Sequence, residues 1–161
     1  MKFKLAFYRG TSFFPSRLIR WFTWGPYSHV AGAIIYDDQK MDLYDAWDVG
    51  GVRKVHGFGD GHKKGTRLDL FTFYDDLNEN EILGFIKAAD ADLGRGYDWK
   101  GVLSQIFRIR CHDAGKLFCS EAILNWLVSS GRILINVDSW KSSPSQLATS
   151  PEIHKTESFV V

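Results

Sequence analysis

The sequence predicts an α+β domain, and three observations carry that expectation: a first half of short apolar runs separated by turn residues, a second half whose apolar residues recur at helical spacing, and enough apolar residues for one core. At 161 residues, 45% of them apolar and only four proline, the chain can bury roughly two-thirds of its unfolded surface without help from disulfides or metals. A single domain over residues 1–161 is expected, with no internal repeat and no low-complexity stretch. The net charge of +1 provides no field that would gather nucleic acid or an anionic membrane surface, so neither is expected as a main partner.

Residues Phe3 to Tyr8 form the first expected strand, closed by Arg9-Gly10. A short helix is expected from Pro15 to Thr23, where Leu18, Ile19 and Phe22 share a face and Gly25-Pro26 follows as the break. The apolar run from His29 to Tyr36 reads as a buried strand with the histidine opening it. Leu43 to Trp47, Val52 to Val55 and Leu68 to Phe73 supply further strands, with Gly-rich loops at Gly50-Gly51 and from Gly57 to Gly65. Beyond Asn78 the period changes to that of a helix, with Glu79 and Glu81 in its first turn and Ile82, Leu83, Phe85, Ile86, Ala89 and Leu93 on its apolar side. A helix is expected from Trp99 to about Phe107, then a polar connection. The last expected helix runs from Cys119 to Ser130 with Gly131 just past its end.

The chemistry centres on Cys119, in Lys-Leu-Phe-Cys-Ser-Glu-Ala-Ile. A thiol at a helix start meets backbone N–H groups that favour its thiolate and can bind a developing oxyanion, although Glu121 in the same turn opposes the first effect. A base is therefore needed. His29, at the start of a buried strand, has an ordinary pKa suited to the role. Its ring needs an acceptor on the other nitrogen, and Asp45 on the next strand is the best-placed carboxylate, with Asp48 as the competing choice. Each residue also has a plainer reading: a packed thiol, a hydrogen-bonded core histidine, a strand-end carboxylate. Trp24, Tyr27 and Trp47 flank the proposed residues and are candidates for the substrate-binding wall, with core packing the equal alternative.

The order Tyr-Ser-His-Val-Ala, Tyr-Asp-Ala-Trp-Asp-Val-Gly-Gly-Val, Tyr-Asp-Trp and Phe-Cys-Ser-Glu-Ala, spread over roughly residues 5 to 130, resembles the circularly permuted NlpC-type hydrolases of the YiiX kind. In that group the base precedes the nucleophile. The resemblance implies a papain-like α+β fold, with a small antiparallel sheet or open barrel packed on helices and the nucleophile at a helix N-terminus. It assigns the nucleophile to Cys119, the base to His29 and the third member to Asp45. It further implies a cysteine peptidase or amidase that cleaves a peptide, isopeptide or cell-wall peptide, with a thiol acyltransferase or lipid hydrolase and a non-catalytic binding protein as alternatives. The lecithin-retinol acyltransferase branch is similar more distantly, because its usual Asn-Cys-Glu motif is missing here.

No cofactor is expected. His56, Asp60 and His62 lie in a Gly-rich loop and invite a zinc reading; no fourth ligand is near in sequence, Cys111-His112-Asp113 could supply more only from a distance, and the glycines mark a hairpin loop more simply. The same loop lacks the spacing of a phosphate-binding motif. Tyr8, Tyr27 and Tyr97 are open choices for completing an oxyanion site. Two cysteines, Cys111 and Cys119, make no disulfide framework, and the N-terminus lacks the apolar core of a signal peptide. A cytoplasmic location is the default expectation, with export by another route as the alternative and oligomeric state open.

Overall fold

The computed structural model describes residues 1–10, 25–98, 100 and 115–161. The expected helices at Pro15–Thr23 and at 99–107 lie outside the described residues, save for position 100, as do Trp24 and Cys111. Six antiparallel strands form one open sheet in the order β4-β3-β2-β1-β5-β6. They are β1 (Lys2–Arg9), β2 (His29–Ile35), β3 (Met41–Trp47), β4 (Gly51–Val55), β5 (Arg67–Phe73) and β6 (Ile153–Val160). The described helices are α1 (Glu79–Ala91), α2 (Cys119–Ser129) and the single turn α3 (Pro144–Leu147), with a 3₁₀ turn at Ser139–Lys141.

Strands β1 and β2 read as continuous apolar runs because both faces of the sheet are covered. On one face Phe7, Val30, Ile34, Tyr44 and Ala46 pack against Phe85 of α1 and Ala122, Ile123 and Trp126 of α2. On the other, Tyr8, Ala31, Ala33, Leu43 and Leu68 are covered by Phe58, from the loop after β4, and by Phe159 and Val161 at the C-terminus. Two small cores therefore sandwich the sheet.

Local chemistry sets the helix ends. Asn78 and Glu81 form a reciprocal capping box on α1, and the same Glu81 carboxylate accepts a 2.9 Å hydrogen bond from Arg132 just beyond α2. That double use ties the start of α1 to the end of α2. Gly131, at φ +88°, closes α2 as the sequence predicts. The expected strands and these two helices are present, with ends displaced by a residue or two. Strand β6 was not expected: its side chains are mostly exposed, and Lys155, Thr156 and Glu157 give it no apolar alternation.

Gly32 marks the tightest packing. A Cβ at that position would stand 2.5 Å from Cζ of Phe85, whose ring is fully buried and also packs edge-on to Phe3 and Trp126. Gly32→Ala is expected to destabilise the fold by about 1–3 kcal/mol through overpacking. Urea unfolding checks this, and an unchanged midpoint would show that α1 is free to move off the sheet.

Candidate active site

His29 is the first residue of β2, so its ring stands at the end of a strand, within reach of a helix start on the neighbouring element. Its Nε2 lies 2.8 Å from Oδ2 of Asp45 on β3. Burial alone would raise the Asp45 carboxyl, but hydrogen bonding and charge from His29, then from Arg53, hold it below its ordinary value. An ionised carboxylate can only accept, so the proton of this bond sits on His29 Nε2. Nδ1 is left to face the thiol.

Cys119 opens α2 and is a free, buried cysteine. It belongs to the helix-side core, whereas His29 is set among the side chains of the opposite face; the two meet where strand and helix both begin. Burial pulls the His29 imidazolium down. Attraction from the Cys119 sulfur, then hydrogen bonds with Asp45 and Cys119, outweigh it and lift the imidazole pKa from 6.5 to about 9. Phe118, the residue before the helix, offers no side-chain cap, so the first-turn N–H groups are not claimed by a capping side chain.

One segment holds both ends in register. Ser120, beside Cys119, donates to the carbonyl of Ser142 at 2.9 Å. Ser145 of α3 accepts from the backbone N–H of Tyr27 at 3.0 Å and donates to its carbonyl at 3.1 Å, two residues before His29. Residues 142–145 thus brace the start of the helix and the start of the strand.

The remaining sequence candidates fall differently. Trp47 lies at the site, its ring edge-on to His29 at 5.0 Å. Tyr27 does not reach it: the ring packs on Phe7 in the helix-side core and the hydroxyl donates to Asp69 at 2.6 Å. A tyrosine so close to the base in sequence points to the opposite face of the sheet. Trp24 lies outside the described residues. Asp48 is exposed on the turn after β3, and it is Asp45 that bonds the imidazole. Among the three tyrosines, Tyr8 donates to the carbonyl of Phe58 and Tyr27 to Asp69. Tyr97 is the one whose hydroxyl feels Cys119 and Asp45; burial, then those charges, push its pKa well up and keep it protonated.

Two contributors were not read from sequence as part of this site: Arg53 was not weighed, and His62 was weighed only as a metal ligand. Arg53 grips Asp45 with Nε on Oδ1 at 2.8 Å and Nη2 on Oδ2 at 3.1 Å. His62 folds back from the glycine loop, stacks on Tyr8 at 3.7 Å and lies 5.6 Å from the His29 ring. Burial and the neighbouring His29 charge lower His62 to about 3, so it is neutral, and its Nε2 finds no hydrogen-bond partner among the described residues. Glycines bracketing a histidine were the only sequence signal that this loop can fold onto the sheet.

No protein-family model matches the chain, and no curated protein matches it. Among solved structures, the crystal structure of metalloprotein yiiX from Escherichia coli O157:H7 (DUF1105) shares the fold, with a TM-score of 0.71 at 15% identity over 98% of this chain and 96% of that one. The chain therefore has a YiiX-like α+β fold. The neighbour is called a metalloprotein, which makes the donor set here worth testing. His56 turns to Asp42 at 2.9 Å, Asp60 accepts from the His56 backbone at 3.1 Å, and His62 stacks on Tyr8. Both oxygens of Asp45 are bound by a guanidinium, and among the described residues no group of three or more His, Cys, Asp or Glu is disposed to hold a metal. Among the described residues the donors do not gather into a metal site, and Cys111, His112 and Asp113 lie outside them. No helix among the described residues is long and apolar enough to cross a membrane.

Two titrations test this geometry. Because the sulfur is the largest cause lifting His29, Cys119→Ser is expected to move its NMR titration midpoint from about 9 back toward neutrality; an unmoved midpoint would separate the two residues. His29 is raised above its unfolded value, so its contribution to stability is complete below about pH 6.5 and is lost as pH rises through about 9. His62 is lowered, so its contribution is present above about 6.5 and is lost as pH falls toward 3. Denaturation across pH should show stability declining on both sides, with Cys119→Ser flattening the alkaline side and His62→Asn the acid side.

Proposed function

We propose that the protein is a cysteine hydrolase of the permuted NlpC, papain-like kind, cleaving an amide in a peptide-like substrate through an acyl-enzyme on Cys119. The observation that carries this reading is a His29 imidazole held by Asp45 on one nitrogen and raised by the Cys119 sulfur. The residue order in sequence, with base before nucleophile, supports it further.

The chemistry follows from the placement. Near neutral pH His29, lifted to about 9, holds the proton that it takes from Cys119 as the sulfur attacks. The sulfur attacks the substrate carbonyl carbon, and the oxyanion that forms meets N–H groups in the first turn of α2, with the Tyr97 hydroxyl in the same field. His29 then gives its Nδ1 proton to the leaving nitrogen as the C–N bond breaks, leaving a thioester. Once the sulfur is acylated its attraction on His29 is gone, so the imidazole pKa drops and the ring becomes a base. It takes a proton from water, the hydroxide oxygen attacks the thioester carbonyl, and the C–S bond breaks to restore the thiolate with release of a carboxylic acid. One coupling thus makes His29 an acid in the first half and a base in the second.

Cys119→Ala and His29→Gln are each expected to lower amide turnover by roughly a thousandfold or more. The wild-type acylation rate should fall as pH rises through about 9, where His29 loses the proton that the leaving nitrogen needs. Turnover of peptide-amide, ester and phospholipid libraries checks these outcomes. Phospholipid turnover without amide turnover would replace the amidase by a lipid hydrolase, and full activity in Cys119→Ala would remove the nucleophile.

A further inference from the structure

We propose that Arg53 is a positioning residue of this site, its guanidinium fixing the plane of the Asp45 carboxylate and, through Trp47, the edge of the His29 ring. The proposal rests on the hydrolase reading for its kinetic consequence alone; the positioning itself is a property of the folded protein.

Asp45 and Arg53 are direct cross-strand partners on β3 and β4. The Asp45 side chain is 1% exposed, and His29 engages only its Oδ2. A carboxylate held by one oxygen can turn about its terminal torsion, and a bare Oδ1 in such a place would cost about 1–3 kcal/mol or more. Arg53 removes both problems, since its planar fork binds Oδ1 through Nε and Oδ2 through Nη2. Lysine has no such fork.

The guanidinium is itself held. It lies over the Trp47 ring at 4.0 Å, and Trp47 in turn stands edge-on to His29 at 5.0 Å and to His62 at 4.8 Å. Nη2 also donates to the carbonyl of Asp60 at 3.2 Å, in the loop that carries His62. That loop comes so near that a Cβ on Gly61 would meet Nη1 at 2.7 Å. One cation therefore sets the imidazole from two directions, by the carboxylate that accepts its proton and by the indole against its edge, and it anchors the loop above both.

A merely structural arginine would stabilise the loop and leave the imidazole unaffected, so the test reads the imidazole. In wild-type protein, ¹⁵N NMR should show a downfield His29 Nε2–H resonance protected from exchange, and alkylation of Cys119 by iodoacetamide should follow the His29 titration. In Arg53→Met, with the sheet intact by circular dichroism, the resonance is expected to be lost to exchange and acylation to fall at least about tenfold. Arg53→Lys, which keeps the charge without the fork, is expected to lose the protected resonance as well and to recover only part of the rate; it carries the test if the methionine variant does not fold. A wild-type resonance together with a wild-type alkylation profile in either folded variant overturns the proposal. Loss of the resonance in a protein that turns over no amide leaves the positioning standing and removes the hydrolase.

Discussion

A carboxylate with almost no exposed surface must be paired, and Asp45 is paired twice, with the imidazolium of His29 and the guanidinium of Arg53. Two cations on one anion leave the triad of side chains with a net positive charge in a buried setting. The Cys119 sulfur lies within reach of that charge and is the largest cause lifting His29. Removing Arg53 would leave a neutral pair, and removing Asp45 would leave two like charges facing each other. The charge around His29 is thus set by groups that span β2, β3, β4 and the start of α2.

The fold makes this balance possible by bringing both ends of the dyad to one place. His29 and Cys119 are each the first residue of their element, so each side chain projects where regular structure begins and backbone groups are still available. Register over that gap needs a brace, which the 3₁₀ turn and α3 supply through Ser142 and Ser145. A residue buried in the helix-side core and one set among the side chains of the other face can meet only at such an end. Tyr27 shows the alternative: two positions from the base, it enters the opposite face and gives its hydroxyl to Asp69.

That geometry also explains what sequence could and could not show. Strands β1, β2, β3 and β5 were legible because burial on both faces writes apolar runs, β4 through Val52 and Val55 after a glycine turn, and α1 and α2 because apolar residues recur at helical period. Strand β6 was not, since it borders the sheet with exposed side chains and its place comes from pairing with β5 alone. Cys119, His29 and Asp45 were legible through local motifs and order. Arg53 was hidden because its partner is fixed by cross-strand register, and arginines in short strands ordinarily face solvent. His62 was visible as a histidine among glycines, but a loop that folds back over a sheet leaves no periodicity from which its destination follows.

Similarity to the YiiX structure at 15% identity fixes the arrangement of strands and helices and leaves the side chains of the site free to differ. Whether such a scaffold holds a metal depends on what competes for its carboxylate. In this chain a guanidinium already binds both oxygens of Asp45, a neutral His62 packs by its faces, and a cation brought to the same place would have to displace one positive charge and approach another. Arginine at position 53 makes the Asp45 carboxylate a poor ligand for a further cation.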